Sequence, residues 1–412
     1  MSALAALVRI VLAIPALPIV AAAALAARPG TRRRQRAGAK PRLVYGPIPV
    51  ISIKFMSEAM AARGYDVRTS VYDVYAIHER NDFDDVLAKP EASFPARAAR
   101  SLLGPYVVFL RSLYRFDVFH FFFDGGFLLP TPLRLLEVQL LHLAGKKVVA
   151  MPYGSDVAAP SHMHSLTLRN ALAANYPHLG RREHDTLRRI RYFCERADFV
   201  VACIMHLETL PRWDLLTTHY YPIDTEAWKP DGAVVDTSDV VSVVHAPNHR
   251  ALKGTEFLIK ACEELKSEGL PLELRLLEGV PNREVKRVLA ESDILAEQFI
   301  IGYALTAIEA MSLGKPVLSN LHDNFYYEAF HLYTGLDECP IVDTPIDRIK
   351  ENLRMLVEDA GRRRELGAAG RRYVERFHSY ESVGRMWEAI YGQVWHGRNL
   401  DLVAWNPGTN DG

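Results

Sequence analysis

The sequence predicts an α/β protein built from two parallel-sheet domains, preceded by an apolar helix. Three observations predict it. Short apolar runs that read as buried strands alternate with longer stretches of helical period, the pattern of a parallel sheet with crossover helices. Several of these runs end in glycine turns, as at Gly46, Gly125 and Gly302. The chain has 412 residues and is 49% hydrophobic, enough for two domains with a full core each.

The amino-terminal stretch stands apart. Ile10 to Ala27 carries no charge and would span about 27 Å as a helix, close to a bilayer core of about 30 Å. Arg28, Arg32, Arg33, Arg34, Arg36, Lys40 and Arg42 follow with no acid among them. Residues 1–41 are therefore expected to be a membrane anchor (residues 4–27) and a basic linker, with the remainder on the cytoplasmic face of the plasma membrane. Pro15 and Pro18 would kink the segment, which leaves a re-entrant or interfacial anchor open. A cleaved signal peptide is the rival reading, because Ala-Leu-Ala-Ala resembles a processing site.

Charge elsewhere is balanced, with 49 Lys plus Arg against 49 Asp plus Glu, so no bulk charge suggests a nucleic-acid partner. Cys194, Cys203, Cys262 and Cys339 have no CxxC spacing and read as buried thiols of a reducing compartment.

In residues 42–229, strands are expected at Arg42–Tyr45, Asp66–Tyr72, Asp117–Phe123, Lys147–Met151 and Asp198–Cys203. Helices are expected at Ser52–Arg63, Pro132–Ala144 and Gly180–Arg196. The turns Asp124-Gly125-Gly126 and Tyr153-Gly154-Ser155-Asp156 lie at carboxyl ends of strands, where open α/β sheets bind ligands. The tight Gly154-Ser155 turn is expected to expose Asp156. Asn81-Asp82-Phe83-Asp84-Asp85 resembles an Asp-x-Asp metal motif but sits in a polar loop, and His162-Met163-His164 lacks a third ligand at suitable spacing, so no metal is assigned. Helix Gly180–Arg196 is strongly basic, a solvated face or a surface for anionic lipid.

Lys229–Asp239 reads as the interdomain linker. The second domain, residues 230–380, opens with strand Val240–His245, then Asn248-His249-Arg250-Ala251-Leu252-Lys253-Gly254 and helix Thr255–Ser267. Arg250 and Lys253, three apart in a loop closed by glycine at a helix start, suit a diphosphate. Strand Leu272–Leu277 and helix Asn282–Glu291 follow.

The stretch from Ser292 to Asn320 is the richest. Strand Asp293–Phe299 ends in polar Glu297 and Gln298, Gly302 breaks it, and a helix starts at about Tyr303 with Leu305, Ile308 and Met311 as its buried stripe. Gly314 and Pro316 stop that helix, and Lys315–Ser319 is the next strand. A helix that starts directly after a strand offers free N–H groups and the positive end of its dipole to an anion. Gly302 and Ala304 would let a phosphate approach the backbone. Glu309 is a mid-helix carboxylate able to accept hydrogen bonds from hydroxyls beside that phosphate, or else an ordinary surface residue. Helices Ile346–Asp359, Gly361–Phe377 and Glu381–Trp395 complete the chain, with residues 381–412 taken as a last helix and tail.

Gly302-Tyr303-Ala304-Leu305, Glu309-Ala310-Met311 and Gly314-Lys315-Pro316-Val317 together resemble the donor-site signature of retaining family-4 glycosyltransferases. The likeness extends over about Leu43 to Trp395. It implies a GT-B fold of two Rossmann-like domains, the first binding the acceptor and the second a nucleotide-sugar, with the last helix crossing back to the first. It implies hexosyl transfer to an acceptor hydroxyl with retention, using no metal and no cofactor beyond the nucleotide-sugar co-substrate. Glu309 matches the glutamate that holds the ribose, Lys253 the lysine on the donor diphosphate, and His120 the histidine facing the reacting sugar. A packed core histidine is the other reading of His120. Asp156 matches a cleft position, and Gly125 and Gly46 are expected beside it, although Gly46-Pro47-Ile48-Pro49 is a stiffer turn where the family has a Gly-Gly loop.

The family's first glutamate falls on Ile301, with Glu297 and Gln298 as nearby replacements, and its arginine falls on Asn248, with Arg250 as an offset substitute. A membrane location further suggests a lipid-linked or glycan acceptor in envelope assembly. The alternatives are a non-catalytic membrane subunit that keeps the donor fold, or a sugar-nucleotide epimerase or hydrolase.

Overall fold

Two parallel sheets organise the chain in the computed structural model, which describes residues 3–89, 93–218, 221–230, 239–321 and 335–399. The first sheet has the order β3-β2-β1-β4-β5-β6-β7. Its strands are β1 Leu43–Tyr45, β2 Val67–Val71, β3 Asp85–Val86, β4 Val118–Phe122, β5 Lys147–Met151, β6 Phe199–Cys203 and β7 Leu215–Thr217. The second has the order β12-β11-β10-β8-β9, from β8 Val241–His245, β9 Leu272–Leu276, β10 Ile294–Gln298, β11 Val317–Ser319 and β12 Val342–Asp343. Every strand pairing among the described residues is parallel. All residues of β1, β4, β6, β8 and β10 are buried, because crossover helices cover both faces of each sheet.

The helices, in chain order, are α1 Ala3–Arg36, α2 Ser52–Ala62, α3 Phe94–Arg115, α4 Glu137–Leu143, α5 Leu166–Asn175, α6 Pro177–Arg196, α7 Arg250–Lys253 and α8 Thr255–Ser267. They continue with α9 Asn282–Ala290, α10 Leu305–Ser312, α11 Ile349–Glu358, α12 Ala360–Phe377 and α13 Tyr380–Val394. Several differ from expectation, three of them for evident local reasons. The helix expected over Pro132–Ala144 starts as a 3-10 turn, Pro132–Leu135, before α4. The helix after Gly302 starts at Leu305 rather than Tyr303, since Ala304 is still extended. α3 goes unseen in the sequence because Gly104-Pro105 breaks its apparent period, yet Pro105 is accommodated inside the helix.

α13 returns to the first sheet and packs on α2. Trp387, Tyr391 and Trp395 are fully buried there with Tyr45, Met56 and Phe122. Arg63 fastens the helix by ion pairs to Glu381 (2.7 Å) and to Glu388. Ile223 donates its N–H to the carbonyl of His378 (2.7 Å) and bridges Ser379, so the chain's two passages between the sheets run side by side. Tyr220, residues 231–238 of the expected linker and residues 400–412 of the tail lie outside the described residues.

α1 lies against α3 and α4. Its carboxyl end is held by fully buried Asp117, which accepts from Arg34 (2.9 Å), Arg42 (3.0 Å) and Lys146 (3.3 Å).

Candidate functional site

The second sheet brings two turns together at its carboxyl edge. β8 ends at His245, whose Nδ1–H donates to the carbonyl of Ala296 (2.6 Å) while Nε2 accepts from the Thr255 hydroxyl (2.8 Å). α7 then closes at Gly254, with φ +73°, where a Cβ would press on Phe299 at 3.3 Å. Only glycine takes both that left-handed backbone and that approach at no cost. The N–H of Phe299 donates to the Lys253 carbonyl (3.2 Å). The Lys253 turn and the Gly302 turn are therefore in direct contact.

Between them sits Glu297. Its buried carboxylate lies 3.9 Å from Lys253 Nζ and accepts from the N–H of Ala304 (3.1 Å), the residue that caps α10. An anion on a helix N-terminus is stabilised by the dipole and the amide. Burial nevertheless pushes Glu297 up to about 7, with Lys253 and the amides pulling the other way. Glu309, half-buried on α10, is pushed up to about 8 by burial and then by the charge of Glu297, opposed by Lys253 and Lys286. Burial and mutual repulsion thus hold both carboxyls above the ordinary carboxyl range, with Lys253 beside Glu297 opposing the shift.

The remaining expected donor residues divide. The Gln298 side-chain amide donates to the Gly302 carbonyl, which locks the turn, so Gln298 and Glu297 shape the site rather than replacing the missing carboxylate at Ile301. Tyr303 is buried, its hydroxyl donating to Nε2 of His378 (3.2 Å), and it points away from the cleft. Ala304 and Leu305 are half-buried at the start of α10. Arg250 is engaged by Glu256 (2.7 Å) and Glu278 (3.0 Å), so two acids already occupy the guanidinium expected on a diphosphate.

The first sheet corrects the expected exposure of Asp156 and, for His120, gives the packed-core reading. His120 belongs to the core: Nδ1–H donates to the Val44 carbonyl (3.1 Å), Nε2 accepts from the Tyr391 hydroxyl (3.0 Å), and its ring stacks on Tyr45 at 4.0 Å. Burial drives its pKa down to about 3, so it is neutral and does not face the cleft. Asp156 is turned inward. Its carboxylate accepts from the N–H groups of Phe123 (3.0 Å), Tyr153 (3.0 Å) and Gly154 (2.9 Å), which ties the ends of β4 and β5 together. Gly46 is a packing position, where a Cβ would collide with the Ser70 carbonyl oxygen. Gly125 forms the turn after β4, its N–H donating to Phe122 (3.1 Å).

Between the sheets runs a cleft walled by His206, Glu208 and Thr209 on one side and by Ile301, Gly302 and Asn320 on the other. The sequence reading passed over His206, Glu208 and Asn320. Their signal is position alone, immediately after the ends of β6 and β11. A further polar group at the end of β4 is Asp124, which accepts from the Tyr153 hydroxyl (2.7 Å) and from Arg189 of the basic helix α6 (3.3 Å). The two units also touch beside the cleft. The Asn175 side-chain oxygen accepts from the N–H of Leu252 (2.8 Å), and Tyr176 packs on His249 at 4.6 Å. Asp82 and Asp84 are taken by Lys54 (2.6 Å) and the N–H of Thr69 (2.8 Å).

No protein-family model matches the sequence, and no curated protein matches it. Solved structures do match. Anabaena Alr3699/HepE in complex with UDP-glucose superposes with a TM-score of 0.56 at 12% identity, over 86% of this chain and 100% of that one. A glycosyltransferase from Rickettsia africae gives 0.54 at 11% identity, over 87% and 100%. The S. aureus MnaA–UDP structure gives 0.50 at 11%, over 89% and 100%. At such identities the likeness establishes architecture: the chain has the GT-B glycosyltransferase fold, two Rossmann-like units facing a cleft, with an apolar N-terminal helix.

Proposed function

We propose that the protein is a glycosyltransferase that moves a sugar from a nucleotide-sugar to an acceptor hydroxyl in the interdomain cleft. The observation that carries this is the meeting of Lys253 with the amino end of α10 at Glu297, beside the Gly302 wall of the cleft. Bond cleavage leaves growing negative charge on a nucleotide diphosphate, which a cation and a helix N-terminus stabilise without a metal. The diphosphate competes with Glu297 for both partners. Glu297 is poised near neutral pH, so taking up a proton as the phosphates arrive costs little. Glu309 holds the ribose hydroxyls. Support comes from the like-folded Anabaena and S. aureus structures, described as complexes with UDP-glucose and with UDP.

Retention at the anomeric carbon and the hexosyl class are carried by the family-4 resemblance around Gly302 and Glu309. The apolar α1 and its arginines support a place on the cytoplasmic face of a membrane and a lipid-linked or glycan acceptor. The test is a panel of nucleotide-sugars offered to the purified full chain with a lipid extract, scored for release of nucleoside diphosphate that depends on acceptor. Release without acceptor marks a hydrolase or epimerase instead. One observation favours a non-catalytic subunit: Ile301 stands where a carboxylate would contact the sugar, and Glu297 is turned to cap α10. Calorimetric binding of a nucleotide-sugar with no turnover on any acceptor would decide for that reading.

A further inference from the structure

α1 has two apolar faces, and only one is covered. Ala13, Val20, Ala24 and Ala27 lie on one side and are buried in the core with α3 and α4. On the other side Leu7, Val11, Ile14, Pro18, Ala22 and Leu25 follow one another at intervals of three or four residues, and all are exposed. Leu7 is 58% exposed and Ile14 71%. α3 widens this surface with exposed Leu103, Val107 and Tyr114, which share one helical face. The two helices are joined there, since Tyr114 donates to the Ala23 carbonyl (3.3 Å) and Arg9 to Ser101 (3.3 Å).

The exposed row of α1 ends in cations. Pro29, Arg32 and Arg36 continue the same spacing, and with Leu25, Arg28 and Arg33 they line a concavity formed by α1 alone. Arg34, between them, is the one turned inward to Asp117. Among the described residues Arg28, Arg32, Arg33 and Arg36 enter no ion pair, and Nε of Arg28 is buried without a partner. Four arginines outside any ion pair thus lie next to a long strip of uncovered aliphatic side chains. Hydrocarbon beside phosphate is the chemistry of a lipid leaflet at its headgroup boundary.

We propose that α1 seats the protein on an anionic membrane by lying along the leaflet, its outer row in the acyl boundary and its arginine concavity on lipid phosphates. This rests on the membrane location proposed above and specifies its geometry. Crossing is the alternative, and the inner face opposes it. Arg9 donates to the Pro130 carbonyl (2.8 Å) near one end, and Arg34 is bound to Asp117 near the other. To span a core of about 30 Å, the helix would have to leave α3 and α4 and expose the side chains it covers.

The full chain is floated with vesicles of phosphatidylcholine alone and of phosphatidylcholine with equimolar phosphatidylglycerol. Binding is expected to be at least about tenfold tighter on the anionic vesicles. That preference is lost when Arg28, Arg32, Arg33 and Arg36 are all changed to Gln, with far-UV circular dichroism unchanged. Leu7→Cys, Ile14→Cys and Leu25→Cys, each carrying an environment-sensitive fluorophore, are then quenched by lipids brominated at different depths. One shallow depth for all three supports the proposal. Ile14 deep with Leu7 and Leu25 shallow means a crossing helix, which overturns it and keeps the membrane location. Failure of the native chain to float overturns both, and concentration-dependent dimerisation in that case assigns the strip to a second copy.

Discussion

Tyr391, on the last helix, donates its hydroxyl to Nε2 of His120, on a central strand of the first sheet, across 3.0 Å. Nδ1 of His120 faces the Val44 carbonyl, which only accepts, so Nδ1 carries a proton, and burial favours the neutral imidazole whose Nε2 accepts. His245 and His378 repeat the arrangement, each with Nδ1 on a backbone carbonyl and Nε2 on a hydroxyl. These imidazoles are structural joints. His120→Ala should lower stability by about 3 kcal/mol in urea unfolding while kcat of the folded fraction stays within about twofold. A collapse of kcat at unchanged stability would return His120 to the catalytic machinery.

Buried titrating groups give the stability curve two limbs. His120, His245 and His378 are driven down to about 3, 4 and 4 by burial, so the unfolded chain binds more protons below the ordinary histidine value and stability falls with acid. Glu137 is pushed up to about 8 and Asp156 to about 7, so the folded chain holds protons the unfolded one releases, and stability falls as pH rises from the ordinary carboxyl range to about 8. The melting temperature should therefore fall toward acid through the histidines and fall again as pH rises to about 8 through these carboxyls together with Glu297 and Glu309. Glu137→Gln should flatten the alkaline limb by up to roughly 1.4 kcal/mol per pH unit, read from melting temperatures across the pH series.

At the proposed diphosphate site Lys253 and Glu297 should act in opposite directions. Lys253→Ala should slow turnover ~100-fold at saturating donor, the usual worth of one oxyanion contact. Glu297→Gln removes the competing charge but keeps the Ala304 hydrogen bond, so nucleoside diphosphate should bind more tightly in calorimetry. Weaker binding would mean that Glu297 touches the ligand directly.

Glu309 is tested with the ligand's own hydroxyls. Glu309→Ala should weaken donor binding by about tenfold. A donor lacking the ribose hydroxyls should lose markedly less affinity on the variant than on the native protein. Additive losses would place the carboxyl elsewhere.

Asp117→Asn should cost about 3–5 kcal/mol, because Arg34, Arg42 and Lys146 lose their shared buried counter-charge. The same variant should make the amino-terminal helix the first site of limited proteolysis, monitored by mass spectrometry.

Strand and helix order was legible because buried parallel strands such as Phe119-His120-Phe121-Phe122 are continuous apolar runs with few other readings. β3, β7 and β12 escaped because two or three residues carry no period. The pairing of Lys253 with the Gly302 turn could be anticipated, since both follow strand ends in one parallel sheet. The inward turn of Asp156 could not, and for His120 the sequence left a cleft and a core reading both open. Each depends on a partner far along the chain, Phe123 for one and Tyr391 for the other, and spacing does not encode which way a polar side chain rotates.

The hydrogen bond from Ile223 to His378 has a mechanical meaning. Two neighbouring crossings tied together are expected to act as a door hinge, opposing sliding more than swinging about the line they share. Opposing surfaces such as His206 and Asn320 would then separate by rotation, while exposed clasps such as Arg283 with Glu79 (3.0 Å) set how readily the door swings.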